Sequence, residues 1–264
     1  MHVSLVSTLP SAPAGPAGRL ADGLRALGHD VRVVDRPDLE PNRAADLGYG
    51  LADTWAGAAP DVVVALGWLA GLAAQVATRE RSVPVLLRLP RPGRSGDPTV
   101  TRVERALVRS GVTLLAAAPS EAEALAVMGA PRTRVRVLPE AVDAATVARR
   151  AEGDRDRAGV VVVADDTPAD VAAVLEGMAA SRPAVVLDRG VLADLVADGV
   201  SGVVVASAGD LALTARALQA DPMRCEAMGM AAADRVQACF DTSVVLPILD
   251  RLLDEATRGA LSPV

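Results

Sequence analysis

Glycine and arginine residues suited to binding an anion lie in two stretches of the chain. Gly15 and Gly18 precede an apolar, helix-like segment, and a glycine loop before a helix presents free backbone N–H groups to a phosphate. Arg88 and Arg91 follow an apolar run that ends at Leu87, and guanidinium groups bind phosphate or carboxylate through paired hydrogen bonds. These residues favour an anionic ligand, although the two glycines are equally compatible with an ordinary tight turn.

The remaining residue types exclude several other chemistries. The chain has no lysine, so it has neither a phosphate-binding lysine nor a Schiff-base lysine. Its histidines are His2 and His29, and its cysteines, Cys225 and Cys239, lack metal-ligand spacing. We therefore expect no metal and no tightly bound cofactor. Two cysteines do not make a disulfide framework either, which favours reduced thiols.

A third basic group recurs at helical spacing. Arg102, Arg105 and Arg109 share one face of a predicted helix, and the opposite face is predicted to carry Val103, Ala106 and Leu107. Three interpretations remain open for this face: a solvated surface, a site for an anionic acceptor, or contact with anionic lipid headgroups.

Composition and charge indicate two domains. The 264 residues are 51% hydrophobic but only 2% aromatic, so the core must consist of alanine, valine and leucine. Residues 1–150 hold 18 arginines against 15 acids, and residues 151–264 hold 9 against 18. The net charge of −6 argues against a general nucleic-acid binder. The first ten residues do not resemble a signal peptide, and we expect a cytoplasmic protein.

The order of apolar runs predicts an α/β fold. Six short runs alternate with helical patterns, as a doubly wound parallel sheet requires. These runs are residues 3–6, 31–34, 60–64, 83–87, 113–117 and 135–137. Three more runs follow, at residues 160–163, 184–187 and 203–205, before a helical tail. The predicted domains are residues 1–146 and 160–264, joined by a linker at 147–159.

Residues 176–205 carry a family resemblance. They read E-G-M-A-A-S-R-P-A-V-V-L-D-R-G-V-L-A-D-L-V-A-D-G-V-S-G-V-V-V. This resembles the donor-sugar half of the family-4 glycosyltransferases, whose pattern is close to E-A-M-A-x-G-x-P-V-V-x-x-x-x-G-G-x-x-E-x-V-x-D-G-x-x-G-x-L-V. The first half of the chain is similar to the same family at G-H-x-V (28–31), P-D-V-V (60–63) and R-V-x-V-x-P (134–139).

The resemblance implies a GT-B-like architecture and a donor site. It implies a complete N-terminal Rossmann-like parallel sheet, followed by a shortened C-terminal Rossmann-like half-domain and a last helix that packs back on the first domain. Glu176, Gly190 and Asp194 take the positions of the residues that bind the nucleotide sugar, with Glu176 on the ribose. Gly15, Gly18, Arg88 and Arg91 take the acceptor or phosphate side.

Several family residues are replaced in this chain. The first acid of the family's E-x7-E spacing falls at Pro168, and histidine positions of the first domain fall at Val64, Leu66 and Pro90. The strands that carry the family's diphosphate-binding basic pair have no counterpart. These departures predict a catalytically degenerate, glycosyltransferase-like protein that binds a nucleotide or a protein partner.

Two other functions remain open. One is an active retaining glycosyltransferase that moves sugar from a nucleotide sugar to an acceptor and uses arginines of the first domain for the phosphate. The other is a small-molecule sensor or epimerase-like relative. Missing strands would leave residues 160–163 as an open sheet edge, which predicts a homodimer or a complex with another glycosyltransferase.

Overall fold

The chain forms two compact units. The computed structural model describes residues 1–9, 16–152 and 159–260. Unit 1 comprises Met1–Ala116, Ala122–Leu138 and Leu246–Val264, and unit 2 comprises Ala117–Glu121 and Pro139–Val245.

Unit 1 is built on a six-stranded, all-parallel sheet. Its strands are β1 (His2–Ser7), β2 (Asp30–Asp35), β3 (Val62–Leu66), β4 (Val85–Arg88), β5 (Thr113–Ala116) and β6 (Val135–Val137). Their spatial order is β2-β1-β3-β4-β5-β6. The predicted α/β fold with a parallel sheet is confirmed. The inner strands are mostly apolar because helices cover both faces of a parallel sheet, and every residue of β3 is buried. The edge strand β2 is more polar and is partly exposed.

Helices separate these strands along the chain. They are α1 (Pro16–Ala26), α2 (Ala44–Thr54), α3 (Trp68–Thr78), α4 (Pro98–Arg109) and α5 (Pro119–Val127). Small residues allow close packing in this aromatic-poor core, since α3 buries Ala70, Ala73, Ala74 and Ala77. A Cβ atom at Gly48 of α2 would lie 2.6 Å from the Cβ of Val76 on α3. Glycine at that position therefore sets the spacing of the two helices.

Unit 2 contains a smaller sheet. Strands β7 (Val161–Val163), β8 (Ala184–Leu187) and β9 (Gly202–Val205) are parallel and lie in that order. Its helices are α6 (Ala144–Glu152), α7 (Pro168–Ala179), α8 (Val191–Leu195), α9 (Ala208–Gln219) and α10 (Pro222–Cys239). The last helix, α11 (Thr242–Ala260), belongs to unit 1 from Leu246 onward.

The first part of the predicted linker is a helix. Residues 147–152 lie in α6, which buries Ala144 and Ala151. Asp143 starts this helix, because its carboxylate accepts a hydrogen bond from the Thr146 N–H at 2.8 Å. Hydrogen bonds from Thr146 also hold the pKa of Asp143 below its ordinary value. Residues 153–158 lie outside the described part of the chain.

Among the residues that the structure describes, no helix is long and apolar enough to cross a membrane. Over the same residues, no group of three or more histidine, cysteine, aspartate or glutamate side chains is arranged to hold a metal ion.

Candidate functional site

The carboxyl ends of β7 and β8 meet at one edge of the second sheet. The parallel register pairs Val163 with Val186, so the residues that follow each strand are neighbours. An ion pair joins the two loops, with 3.8 Å between Arg189 Nη1 and Asp165 Oδ1. Arg189 is thus a cation at the edge where ligands bind in open parallel sheets, and its position directly after a buried strand was the available signal for it.

The amino terminus of α7 lies at the same edge and is rich in carboxylates. Pro168 is the first helical residue and has no N–H group to offer a ligand. The Thr167 side chain caps the helix by accepting a hydrogen bond from the Asp170 N–H at 3.2 Å, and its hydroxyl donates to the Asp170 carboxylate. Asp165 and the buried Asp166 directly precede this cap. The positive end of the helix dipole therefore faces acids of its own chain.

Glu176 lies toward the opposite edge of the sheet. It is eight residues beyond Pro168 on α7, which places it about 12 Å along the helix axis. Its neighbour Gly177 packs on the side chain of Val161, the first residue of β7, where an added Cβ would lie 2.2 Å from Cγ2. The Glu176 side chain is exposed and makes no hydrogen bond or ion pair within the described part of the chain.

Gly190 precedes α8 and Asp194 lies within it, and each has a role in the local backbone structure. Gly190 is the N-cap residue, with a φ of 51° in the region that favours glycine. The Asp194 carboxylate accepts a hydrogen bond from the Ser120 N–H at 3.2 Å, in the first turn of α5. Arg235 then donates to the carbonyl oxygens of Asp194 and Leu195, at 2.8 and 2.6 Å. Asp194 is therefore held as a helix cap.

Serine is a residue type that often caps a helix, but Ser120 lies within the first turn of α5 because the helix begins at Pro119. The Glu121 carboxylate instead accepts the hydrogen bond from the Ala117 N–H, and it is buried. The proline shifts the start of the helix because its fixed φ suits the first helical position.

The carboxyl edge of the first sheet is closed locally by Thr8 and Gly67. Gly67, the residue before α3, has a φ of 96°, and its N–H donates to the Arg88 carbonyl oxygen at 2.9 Å. The Thr8 hydroxyl oxygen accepts a hydrogen bond from the Ala70 N–H at 3.3 Å, and a Cβ at Gly67 would lie 2.8 Å from that oxygen. The tight approach leaves room for glycine only.

The predicted phosphate-binding glycines are not both part of a loop. Gly18 is the third residue of α1 and has no neighbouring atom within 4 Å of where a Cβ would be. The helix begins earlier than expected because Pro16 is suited to the first helical position. Gly15 lies outside the described residues.

Arg88 ends a strand and Arg91 lies in the loop that follows it, which is anchored by a buried acid. Arg88 ends β4 and is 8% exposed, while Arg91 has a φ of 54°, which is unusual for a residue with a side chain. The Glu104 carboxylate on α4 accepts a hydrogen bond from the Gly93 N–H at 2.8 Å. Glu104 is only 4% exposed, and burial raises its pKa above the ordinary 4.5, with the Gly93 hydrogen bond opposing that shift.

The burial of Glu104 was not predicted from the sequence. Glu104 lies between Arg102 and Arg105 in the basic helix, and helical spacing alone does not show which of these charged residues is buried. Arg102, Arg105 and Arg109 are exposed as predicted, but so is Ala106. The buried face of α4 instead contains Leu107, Val108 and Glu104. A glutamate beside a basic stripe has no sequence signal that distinguishes a buried position from a solvated one.

Comparison with known proteins identifies the fold. Residues 40–141 match the family model of the glycosyl transferase 4-like domain. Sucrose-phosphate synthase from Thermosynechococcus elongatus superimposes with a TM-score of 0.79 at 14% identity, covering 97% of this chain and 99% of that one. No curated protein sequence matches the chain.

Two further structures are similar over nearly the whole chain. HepE from Anabaena, in complex with UDP and glucose, superimposes with a TM-score of 0.73 at 12% identity. The match covers 97% of this chain and 100% of that one. A glycosyltransferase from Rickettsia africae has a TM-score of 0.71 at 10% identity, covering 97% of this chain and 98% of that one. Residues 40–141 thus match a glycosyl transferase 4-like domain, and the chain has the GT-B-like fold that its motif resemblance implies.

Proposed function

We propose that this protein is a catalytically degenerate glycosyltransferase-like protein that binds a nucleotide without transferring sugar. The observation that carries the proposal is the start of α7 at Pro168, with Thr167 and Asp170 closed on each other. The family resemblance implies an acid at position 168. Proline supplies neither that carboxylate nor a backbone N–H, so this position cannot accept or donate a hydrogen bond to a ligand through its side chain or its N–H.

The charge at the same sheet edge also disfavours transfer. Breaking the bond to a nucleoside diphosphate requires cations that neutralise the departing phosphates. Residues 163–170 and 188–190 contain four aspartates and one arginine, Arg189. Arg189 already forms an ion pair with Asp165. One cation at this edge can contact a phosphate oxygen of a bound nucleotide, but it is too little to neutralise the charge that develops on a departing diphosphate.

Nucleotide binding rests on Arg189 and Gly190. Both precede α8 at the carboxyl edge of the sheet, where a phosphate oxygen would meet a guanidinium group and the backbone of a glycine turn. The similar HepE structures were determined with UDP, UDP-glucose, or UDP and glucose. For this chain we infer binding of a UDP or GDP nucleotide, with Arg189 as the phosphate ligand.

Titration calorimetry with UDP, GDP and their sugar conjugates tests the proposal. We expect binding without release of free nucleotide from the sugar conjugates. Arg189→Gln should weaken binding about tenfold, since it removes one charge-assisted contact. Arg224→Gln, which changes an exposed arginine on α10, is the matched control and should leave binding unchanged.

Glu176 distinguishes this proposal from an active transferase. Because Glu176 lies toward the opposite edge of the sheet, Glu176→Gln should not alter nucleotide binding. The alternative function, an active retaining glycosyltransferase, is supported by the guanidinium group of Arg189 at the ligand-binding edge. Nucleotide release that requires an acceptor, together with loss of binding in Glu176→Gln, would overturn the proposal in favour of that alternative.

Self-association through β7 is a separate part of the proposal. Within the described residues β7 pairs with β8 alone, and Val162 on this edge strand is 45% exposed. Unpaired edge groups beside an apolar side chain favour pairing with another chain, and we propose a homodimer. Light scattering should give a dimer that Val162→Arg converts to a monomer, whereas Val127→Arg, at an exposed position in unit 1, should not. A monomeric unmodified protein would refute this part.

A further inference from the structure

Unit 1 has a cleft between its edge strand and α2. The cleft has a volume of about 590 Å³, within the range of small-molecule sites. β2 forms one wall and α2 the other, and the loop between them closes one end. The strand contributes Arg32, Val34 and, just beyond its end, Arg36. None of these residues belongs to the glycosyltransferase-like motifs of unit 2.

The floor of the cleft is apolar and rigid. Val34 and Leu47 are partly buried and Leu51 is 5% exposed, and all three pack against the core of unit 1. Gly50 of α2 is exposed and has no atom within 4 Å of where a Cβ would be, so the cleft is open beside it. A small apolar group fits there without displacing any side chain.

The two ends of the cleft differ in charge. At the loop end, Arg36 and Arg43 lie among Asp38, Glu40 and Asp46, and Arg43 pairs with Asp46 at 3.0 Å. The chain reverses between β2 and α2, so Arg32 lies at the other end, with Thr54. The side chains of Arg32 and Arg36 form no hydrogen bond or ion pair with other described residues. Arg32 is therefore a solvated cation beside an apolar floor, with no acid of the cleft at its end.

We propose that this cleft binds a small anionic amphiphile, with its carboxylate or phosphate on Arg32 and its apolar body on the floor by Gly50. A guanidinium group recognises an oxyanion through charge-assisted hydrogen bonds. The apolar body gains free energy by covering Val34, Leu47 and Leu51. The inference is independent of the proposed nucleotide site, which lies in the other unit.

Octanoate and 1-octanol serve as the probe and its uncharged counterpart in titration calorimetry on the full chain. We expect saturable octanoate binding that is at least about fivefold tighter than octanol binding, the difference being the contact with Arg32. Arg32→Gln should weaken octanoate to the level of octanol and leave octanol unchanged. Arg36→Gln should have a smaller effect, because acids surround Arg36.

Two further variants separate the cleft from general surface association. Gly50→Leu fills the open space and should abolish binding of both probes, and it should fold because leucine is favoured over glycine in a helix. Arg102→Gln, on the exposed face of α4, should leave both affinities unchanged. Equal binding of octanol and octanoate, equal loss in Arg102→Gln, or no saturable binding in the millimolar range would each overturn the proposal.

Discussion

Replacing Glu104 tests the contribution of a buried carboxylate to the stability of unit 1. Its carboxylate is 4% exposed and accepts the Gly93 N–H at 2.8 Å. Glu104→Gln keeps an oxygen acceptor for that N–H and removes the buried charge. Glu104→Ala removes the acceptor and leaves the Gly93 N–H without its partner. A hydrogen bond between uncharged groups contributes about 0.5–1.5 kcal/mol, so we expect the free energy of unfolding of Glu104→Ala to be about 1 kcal/mol lower than that of Glu104→Gln, which also lacks the buried charge.

The pH dependence of the glutamine variant has a defined sign. Burial raises the pKa of Glu104 above its ordinary value of 4.5. Between the unfolded and folded pKa values the folded protein binds more protons, so the contribution of Glu104 to stability falls as pH rises through that window. Well below pH 4.5 both states carry a neutral carboxyl group. The stability of Glu104→Gln relative to the unmodified protein should therefore increase as pH rises from about 4 and level off above the folded pKa.

Urea denaturation of the three proteins from pH 4 to pH 8 measures this difference directly. The alanine variant should remain less stable than the glutamine variant throughout the range, since it lacks the Gly93 acceptor at every pH. A constant difference between Glu104→Gln and the unmodified protein would show that the carboxylate is not desolvated. Equal stability of the alanine and glutamine variants would show that the Gly93 hydrogen bond contributes nothing.

Two other substitutions probe the packing of unit 2. Gly177→Ala would bring a Cβ to 2.2 Å from Val161 Cγ2, so thermal denaturation should show a loss of about 1–3 kcal/mol that Val161→Ala partly restores; a stability equal to that of the unmodified protein would contradict this packing. Asp194→Ala removes the acceptor of the Ser120 N–H and should cost about 1 kcal/mol in urea denaturation, while Asp194→Asn should retain most of that stability. Equal losses in the alanine and asparagine variants would instead assign the effect of Asp194 to its charge.

The strands and their parallel arrangement were predictable because their signal is local. Runs such as residues 62–66 are apolar throughout, and such runs suit strands that are buried on both faces. Helix starts were less predictable. Prolines at 16 and 119 shifted two helices toward the amino terminus, which moved Gly18 into α1 and Ser120 into α5. The predicted linker failed in part because an Ala-rich polar segment is also a good helix former once Asp143 caps it.

The resemblance to a donor site identified candidate residues, but it did not predict where these residues lie in the folded chain. Glu176, Gly190 and Asp194 occupy motif positions, yet Glu176 lies beside the start of β7 while Gly190 follows the end of β8. Arg189, which no motif singled out, lies at the ligand-binding edge and pairs with Asp165. Proximity across a sheet depends on strand register and on the length of each helix, which a motif does not encode.

The sequence by itself determined the α/β class, the strands of the first sheet and the lack of any lysine side chain. These follow from residue type and from short-range apolar patterning. Only the tertiary structure decided that Glu104 is buried, that Asp194 caps α5, and that Arg32 is an unpaired cation beside an apolar cleft. Desolvation and hydrogen-bond partners arise from residues that are distant in the chain, so their energies exist only once the elements have packed.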